Sequence, residues 1–326
     1  MARILLFLLL WLTPMAAVAQ TSIFDLDNRL VQFALSQISS PGSFEITAEL
    51  VDDTDAGATR LNGVSVLDSQ GVWMTIEQVV VDWNSSRILR GELALNEILI
   101  RGMNVARAPA PGSEAPELDV EQTQGTPSPF DWPRAPIPVI LEQLVMENIR
   151  IGPDVLGQTI TFDATGSGAD QGDEQRLELN VVRTDDIAAN IAINYLRDFA
   201  ADTLNLDLTA QEDAGGIVAE LASLPPGSAS RVVLNGQGTR TAFEMVFDAE
   251  SEAVFEATGT ATVSTVAPFS ALADFTVDAG PDFPASMRPL IGENTSFTAD
   301  ISEGDDQIVR VRQLRLQSPA LTLEAT

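Results

Sequence analysis

The sequence predicts a mainly β protein: long, strongly curved antiparallel strands with one apolar face, an N-terminal helix and few others. Period-two alternation of apolar and polar residues recurs from Ser43 to the end of the chain. Gly- and Asp-rich clusters punctuate it, among them Gly166–Gly172, "EDAGG" and "EGDD". The third observation is an irregularity. In "ELALNEILIRGMNV" (92–105) the apolar residues Leu93, Leu95, Ile98, Ile100, Met103 and Val105 are spaced two, three, two, three, two. Met74, Ile76, Val79, Val81 and Trp83 repeat the extra step, as do Leu144, Met146, Ile149 and Ile151. One extra residue would turn the next apolar pair to the opposite face. A β-bulge, or a bend of similar effect, absorbs that residue and keeps both pairs on one side, and bulges also increase coiling.

The ends and the interruption of this pattern divide the chain. Residues 1–19 read as an export signal or signal anchor: Arg3, the apolar run Ile4–Leu12, Pro14, then Ala17-Val18-Ala19 as a cleavage site. The run falls short of the ~20 residues a spanning helix needs, which favours cleavage and an exported, soluble body. Residues 22–40 predict a helix packed onto protein, with a capping-box start at Ser22-x-x-Asp25 and a stop at Ser39-Ser40-Pro41-Gly42. Its broad apolar face includes Phe24, Leu30, Val31, Ala34 and Leu35. Residues 43–107 form the first β segment. Residues 108–138 hold eight of the chain's 18 prolines and read as an extended, mobile loop, order returning near Trp132. Residues 139–326 continue the strands, at 176–183, 187–195, 203–210, 231–236, 241–249, 253–264, 270–278, 295–301, 307–316 and 320–325. Two short apolar segments, 217–224 and 285–291, read as helical turns, and "LNGQGTR" (234–240) as a hairpin turn. The last strand stops in mid-pattern, the expectation for a truncated sheet.

Composition narrows the chemistry. With 47 acidic residues against 18 basic ones, all Arg, the net charge is −29. Such a surface repels nucleic acid and anionic lipid headgroups. The chain has no Cys and no His. Disulfides, Cys or His metal sites, Ser-His-Asp triads and imidazole bases are thereby excluded. No P-loop, Rossmann fingerprint or G-x-S-x-G elbow occurs. "VDDTDAG" (51–57) lacks the ligand spacing of a calcium loop and reads as an acidic turn. The expectation is a non-enzymatic protein with no catalytic residue, cofactor or metal.

One stretch, "GVWMTIEQVVVDWNSSRILRGELALNEILIRGMNVARAP" (71–109), resembles the N-terminal region of the TamB family, the inner-membrane subunit of the translocation and assembly module in the wider AsmA-like group. The features that carry the resemblance are Trp73, Asp82-Trp83, Leu89-Arg90-Gly91 and Arg107-Ala108-Pro109. The resemblance implies an elongated β-groove, open along one side, that bridges the inner and outer membranes of Gram-negative bacteria. It further implies carriage of phospholipid and support of outer-membrane protein assembly. The implied barrel partner is met through a region outside this chain, and the N-terminus lies at the inner membrane. The family is usually longer and keeps its N-terminal anchor, two departures here.

A one-sided apolar face must be covered by a second layer or by something else. The expectation is that acyl chains cover it, lined by Met74, Ile76, Val79, Val81, Leu93, Leu95, Ile98, Ile100, Met103, Val105, Leu144, Met146, Ile149 and Ile151, with helix 22–40 closing the inner-membrane end. The alternative is a structural or chaperone-like periplasmic scaffold that binds protein partners.

Overall fold

The computed structural model describes residues 45–53, 58–110, 130, 132, 134–135, 137–218, 225, 227–286, 288, 291–303 and 309–325. The signal segment, the helix expected at 22–40 with its five apolar residues, and most of the Pro-rich loop lie outside the described residues. So do the tip of the acidic turn at 51–57 and most of "EGDD". Among the described residues no helix is long and apolar enough to cross a membrane.

The fold is mainly β. Among the described residues sixteen strands follow one another in a single sheet, in chain order. The chain divides into two compact units, Met1–Pro127 with Trp132–Gly172, and Ser128–Asp131 with Asp173–Thr326.

The first unit holds β1 (Glu45–Asp53), β2 (Ala58–Asp68), β3 (Gly71–Trp83), the short α1 (Ser85–Ile88), β4 (Leu93–Val105), β5 (Val139–Ile151), α2 (Pro153–Leu156) and β6 (Ile160–Asp170). Its pairs are antiparallel except β4–β5, which is parallel, with Leu93 opposite Val139 and Val105 opposite Ile151. The expectation of antiparallel strands holds for every other pair of this unit. Parallel neighbours need a long crossover, and residues 106–138 supply it. A correction concerns Gly166–Gly172, expected as a separator: Gly166 and Gly168 lie within β6, opposite Leu144 and Leu141. They face the large residues that flank a bulge in β5.

The extra residues lie in line: across β2, β3, β4 and β5 they oppose one another without a shift of register, and the shift falls between β5 and β6. On β2, β4 and β5 the three-residue step spans Leu61–Val64, Ile100–Met103 and Met146–Ile149, and each step contains a left-handed residue: Gly63 (φ 60°), Gly102 (φ 62°) and Asn148 (φ 55°). These are the residue types that tolerate that conformation at least cost. On β3 the matching step holds Glu77 and Gln78. Behind this seam, on the polar face, Gln78 Nε2 donates to Asn62 Oδ1 (3.3 Å). Arg101 donates to Gln78 Oε1 (3.4 Å) and to Glu147 Oε2 (2.6 Å). A second step follows at Asn96, where Trp83 opposes Leu95 while Asp82 opposes Glu97.

The second unit is a meander of β7 (Glu174–Arg183), β8 (Ala189–Asp198), β9 (Thr203–Glu212), β10 (Ser230–Thr239), β11 (Ala242–Ser251), β12 (Phe255–Ser264), β13 (Ser270–Ala279), β14 (Thr295–Glu303), β15 (Val309–Gln317) and β16 (Thr322–Ala325). Each strand falls within a few residues of its sequence-based expectation. One reading is corrected: Gly236 and Gly238 lie inside β10, and the turn comes after Thr239. A Cβ at Gly236 would stand 2.5 Å from the Phe243 ring, so the glycine makes room for an aromatic side chain rather than for a turn.

Candidate apolar binding face

In the first unit the register brings every expected lining residue to a common face. Met74 opposes Val105, which opposes Ile151; Ile76 opposes Met103; Val79, Ile100 and Met146 form one row, and Val81, Ile98 and Leu144 another. Leu95 lies between Trp83 and Leu141, Leu93 beside Val139, and Ile149 opposite Phe162. Directly opposed residues share a face, so the apolar pairs on either side of each extra residue stay together. Much of this face is core. Leu93, Leu95, Val139 and Leu141 cluster with Val81, Trp83, Ile98, Ala135, Ile137 and Leu144. Ile76, Ile100, Met103, Val105, Met146 and Ile149 are buried, while Met74, Val79 and Ile151 are half-buried.

One ion pair fastens the rim of this unit. Arg107 donates to both oxygens of Asp68 (2.7 Å each) and to the Gly71 carbonyl (3.0 Å), while the Ala110 and Gln70 amides donate to the same carboxylate (2.7 Å each). The Asp68 side chain has no exposed surface. The Arg107 hydrogen bond, opposed by burial and helped by the two amides, holds its carboxyl well below the usual carboxylate range.

The second unit carries a broader apolar face that single strands do not reveal. Reading across the ten strands, direct pairing joins Leu179, Ile193, Leu208, Leu234, Phe247, Gly259, Phe275, Phe297, Leu316 and Leu323 in one unbroken row. The row two residues away reads Leu177, Tyr195, Leu206, Gly236, Met245, Ala261, Ala273, Ala299, Leu314 and Ala325. The intervening row, on the opposite face, reads Glu178, Asn194, Asp207, Asn235, Val246, Thr260, Asp274, Thr298, Arg315 and Glu324. One face is aliphatic and aromatic, and the other carries carboxylates, amides and hydroxyls.

All ten strands of the second unit belong to one sheet. Ile193, Leu208, Leu234, Phe247, Phe275, Phe297 and Leu316 are each only half-buried. Phe275 stacks on Phe297 at 4.7 Å with an interplanar angle of 8°, and Phe247 tilts against Phe275 at 6.0 Å. Gly259 sits between the last two, where a Cβ would come within 2.4 Å of Phe275. The glycine lets the rings close into a continuous surface.

Charge marks the two margins of this face. At one end Arg183 donates to Asp185 (2.6 Å) and Glu212 (3.1 Å). At the other, Arg197 is 2 % exposed and donates to the Asp198 and Thr203 carbonyls (3.1 and 2.9 Å) and to Asp202. Burial alone would raise the Asp202 carboxyl, but Arg197 and Arg240 overcome it and hold it below its ordinary value. Arg197 lies over the rings of Phe130 (4.8 Å) and Phe199 (5.3 Å), and Phe130 meets Phe243 edge-on at 5.3 Å.

No protein-family model, curated protein or solved structure matches this chain. The reading therefore rests on the geometry itself. A shallow depression at the Arg183 margin is lined by charged groups, and the two most buried of them, Arg183 and Glu212, are already paired. No cluster of three or more His, Cys, Asp or Glu is placed to hold a metal ion among the described residues.

Sequence reasoning named the apolar residues that share a face in the first unit and missed those of the second. The signal lies in plain alternation, as in Leu177, Leu179 and Val181 or Leu204, Leu206 and Leu208. What turns ten such strands into one surface is their mutual register, which no single strand encodes.

Proposed function

We propose that this chain is a non-enzymatic envelope protein, exported to the periplasm with its N-terminus at the inner membrane. Its apolar faces carry phospholipid acyl chains between the inner and outer membranes or support the assembly of outer-membrane proteins. The observation that carries the reading is the register of the second unit, which gathers aliphatic and aromatic residues from ten strands on one half-buried face. Exposed apolar patches of more than a few hundred Å² mark sites of interaction, and covering such a surface gains about 25 cal/mol per Å². From the Leu206 row to the Ala210 row the open face spans four residue steps of β9, about 13 Å at ~3.3 Å per residue. One leaflet of a bilayer's ~30 Å hydrocarbon core is about 15 Å deep, close to that width. Exchange of tails along such a surface needs no catalytic group. The acidic polar face keeps the same sheet in water.

The test exploits neighbouring residues on opposite faces. A photoreactive residue at Leu234, irradiated in the full chain incubated with phosphatidylethanolamine vesicles, is expected to capture phospholipid, and the same residue at Asn235 is not. Equal capture at both positions, or capture of protein alone at Leu234, overturns the lipid reading; protein alone favours the scaffold alternative.

A further inference from the structure

Phe130 comes from the Pro-rich stretch between β4 and β5, yet it is packed as tightly as any core residue of the second unit. It is 1 % exposed. Its ring meets Phe243 edge-on, with the Arg197 guanidinium at 4.8 Å and that of Arg240 at 5.7 Å, and Arg240 donates to its carbonyl at 3.2 Å. Asp202 accepts from Arg197 and lies 3.4 Å from Arg240, which holds both cations at the ring.

The ring lands on the apolar face. Phe243 belongs to the row Leu204, Gly238, Phe243, Val263, one step outward from the row of Leu206 and Met245. Along β9 and β11 the contrast is sharp. Leu204 and Phe243 are 0 % and 2 % exposed, whereas Leu206, Met245, Leu208 and Phe247 are only half-buried. The outermost row is sealed by the chain itself, and the inner rows are left open.

We infer that Phe130 is a built-in stop on the apolar face: it occupies the row at the Arg197 margin and thereby sets the length of acyl chain that the inner rows accept. This rests on the lipid reading above and adds its specificity determinant. A tail lying along the strands runs inward from the Arg183 margin and meets the Phe130 ring, with two guanidiniums beyond it that no methylene can replace. Adjacent same-face rows lie two residues apart, about 6.6 Å. Each additional methylene buried is worth about fourfold in occupancy, so removing the ring should change tail preference measurably.

The experiment is competition between dimyristoyl- and dioleoyl-phosphatidylcholine vesicles for the full chain, read by native mass spectrometry. The wild type is expected to retain the shorter tail in excess. Phe130→Ala should bring the longer tail up by about fourfold or more relative to the shorter, and Phe130→Leu, safer for folding, should move the ratio the same way by less. Phe275→Ala, far from the stop, should weaken retention of both tails without changing their ratio. A folded Phe130→Ala or Phe130→Leu with the wild-type ratio overturns the stop while leaving the lipid reading intact. Absence of either lipid from the wild type overturns the reading beneath it.

Discussion

Glu77 lies across Gly102 in the β3–β4 pair, so close that a Cβ on the glycine would stand 2.4 Å from the Glu77 carboxyl carbon. Both residues are the extra residues of their strands, in the seam that keeps the apolar pairs of the first unit on one side. Gly102→Ala meets two obstacles, the left-handed backbone (φ 62°) and the glutamate. Gly63→Ala meets only the first, since the space around Gly63 is open. The conformational part costs about 1–2 kcal/mol. In urea denaturation Gly102→Ala should therefore lose at least as much stability as Gly63→Ala, and any excess should vanish in a Glu77→Ala background. An excess that survives Glu77→Ala would place the strain elsewhere.

The Asp68–Arg107 pair predicts a pH dependence. Its depressed carboxyl contributes stability above the unfolded pKa of about 3.9 and loses it as pH falls through the lower folded value. Asp68→Asn removes the charge at every pH. The stability gap between wild type and Asp68→Asn should stay constant from pH 7 to about 5 and shrink steadily below about 4. A gap that instead widened on acidification would contradict the assignment of the charged form to the folded state.

The opening pattern of the first unit was legible because its cause is local: an extra residue between apolar pairs calls for a local change of backbone conformation, and Gly63, Gly102 and Asn148, all left-handed, each lie inside such a step. Strand positions in the second unit were legible for the same reason. The parallel β4–β5 pair was not, because direction depends on where a Pro-rich crossover lands. Gly236 and Gly238 looked like a turn because no periodicity announces that the Phe243 ring needs the space at Gly236 and the Ala242 backbone the space at Gly238. The Asp68–Arg107 pair and the Phe130 socket join residues far apart in the chain, 39 positions in the first case and 110 between Phe130 and Arg240. Contacts of that kind are written in the fold and leave no periodicity behind.

Two phenylalanines on the same face of the second unit should separate core from binding surface. Phe243 is almost fully buried, and Phe243→Ala should cost about 3–5 kcal/mol of stability. Phe275 is only partly buried, and its stack on Phe297 is worth only ~0.5–1.5 kcal/mol. Phe275→Ala should lower stability far less than Phe243→Ala while reducing phospholipid retention several-fold. Thermal unfolding paired with lipid quantification on the same preparations checks both halves; equal stability losses would make Phe275 a core residue and remove it from the surface.

A matched pair of charges tests the face itself. Ile193 and Asn194 are neighbours on opposite faces of β8. Ile193→Asp and Asn194→Asp each add one negative charge to a chain already at −29, so any effect of net charge is the same in both. Beneath an acyl tail the aspartate of Ile193→Asp would lose its water without gaining a partner, which disfavours the ionised form and raises its pKa. Lipid retention should therefore fall sharply in Ile193→Asp at pH 7 and hold in Asn194→Asp. On acidification toward the ordinary Asp pKa of about 3.9 the first variant should recover as its carboxyl takes up a proton. The recovery is the decisive part, because a variant that had merely misfolded would not regain binding in acid.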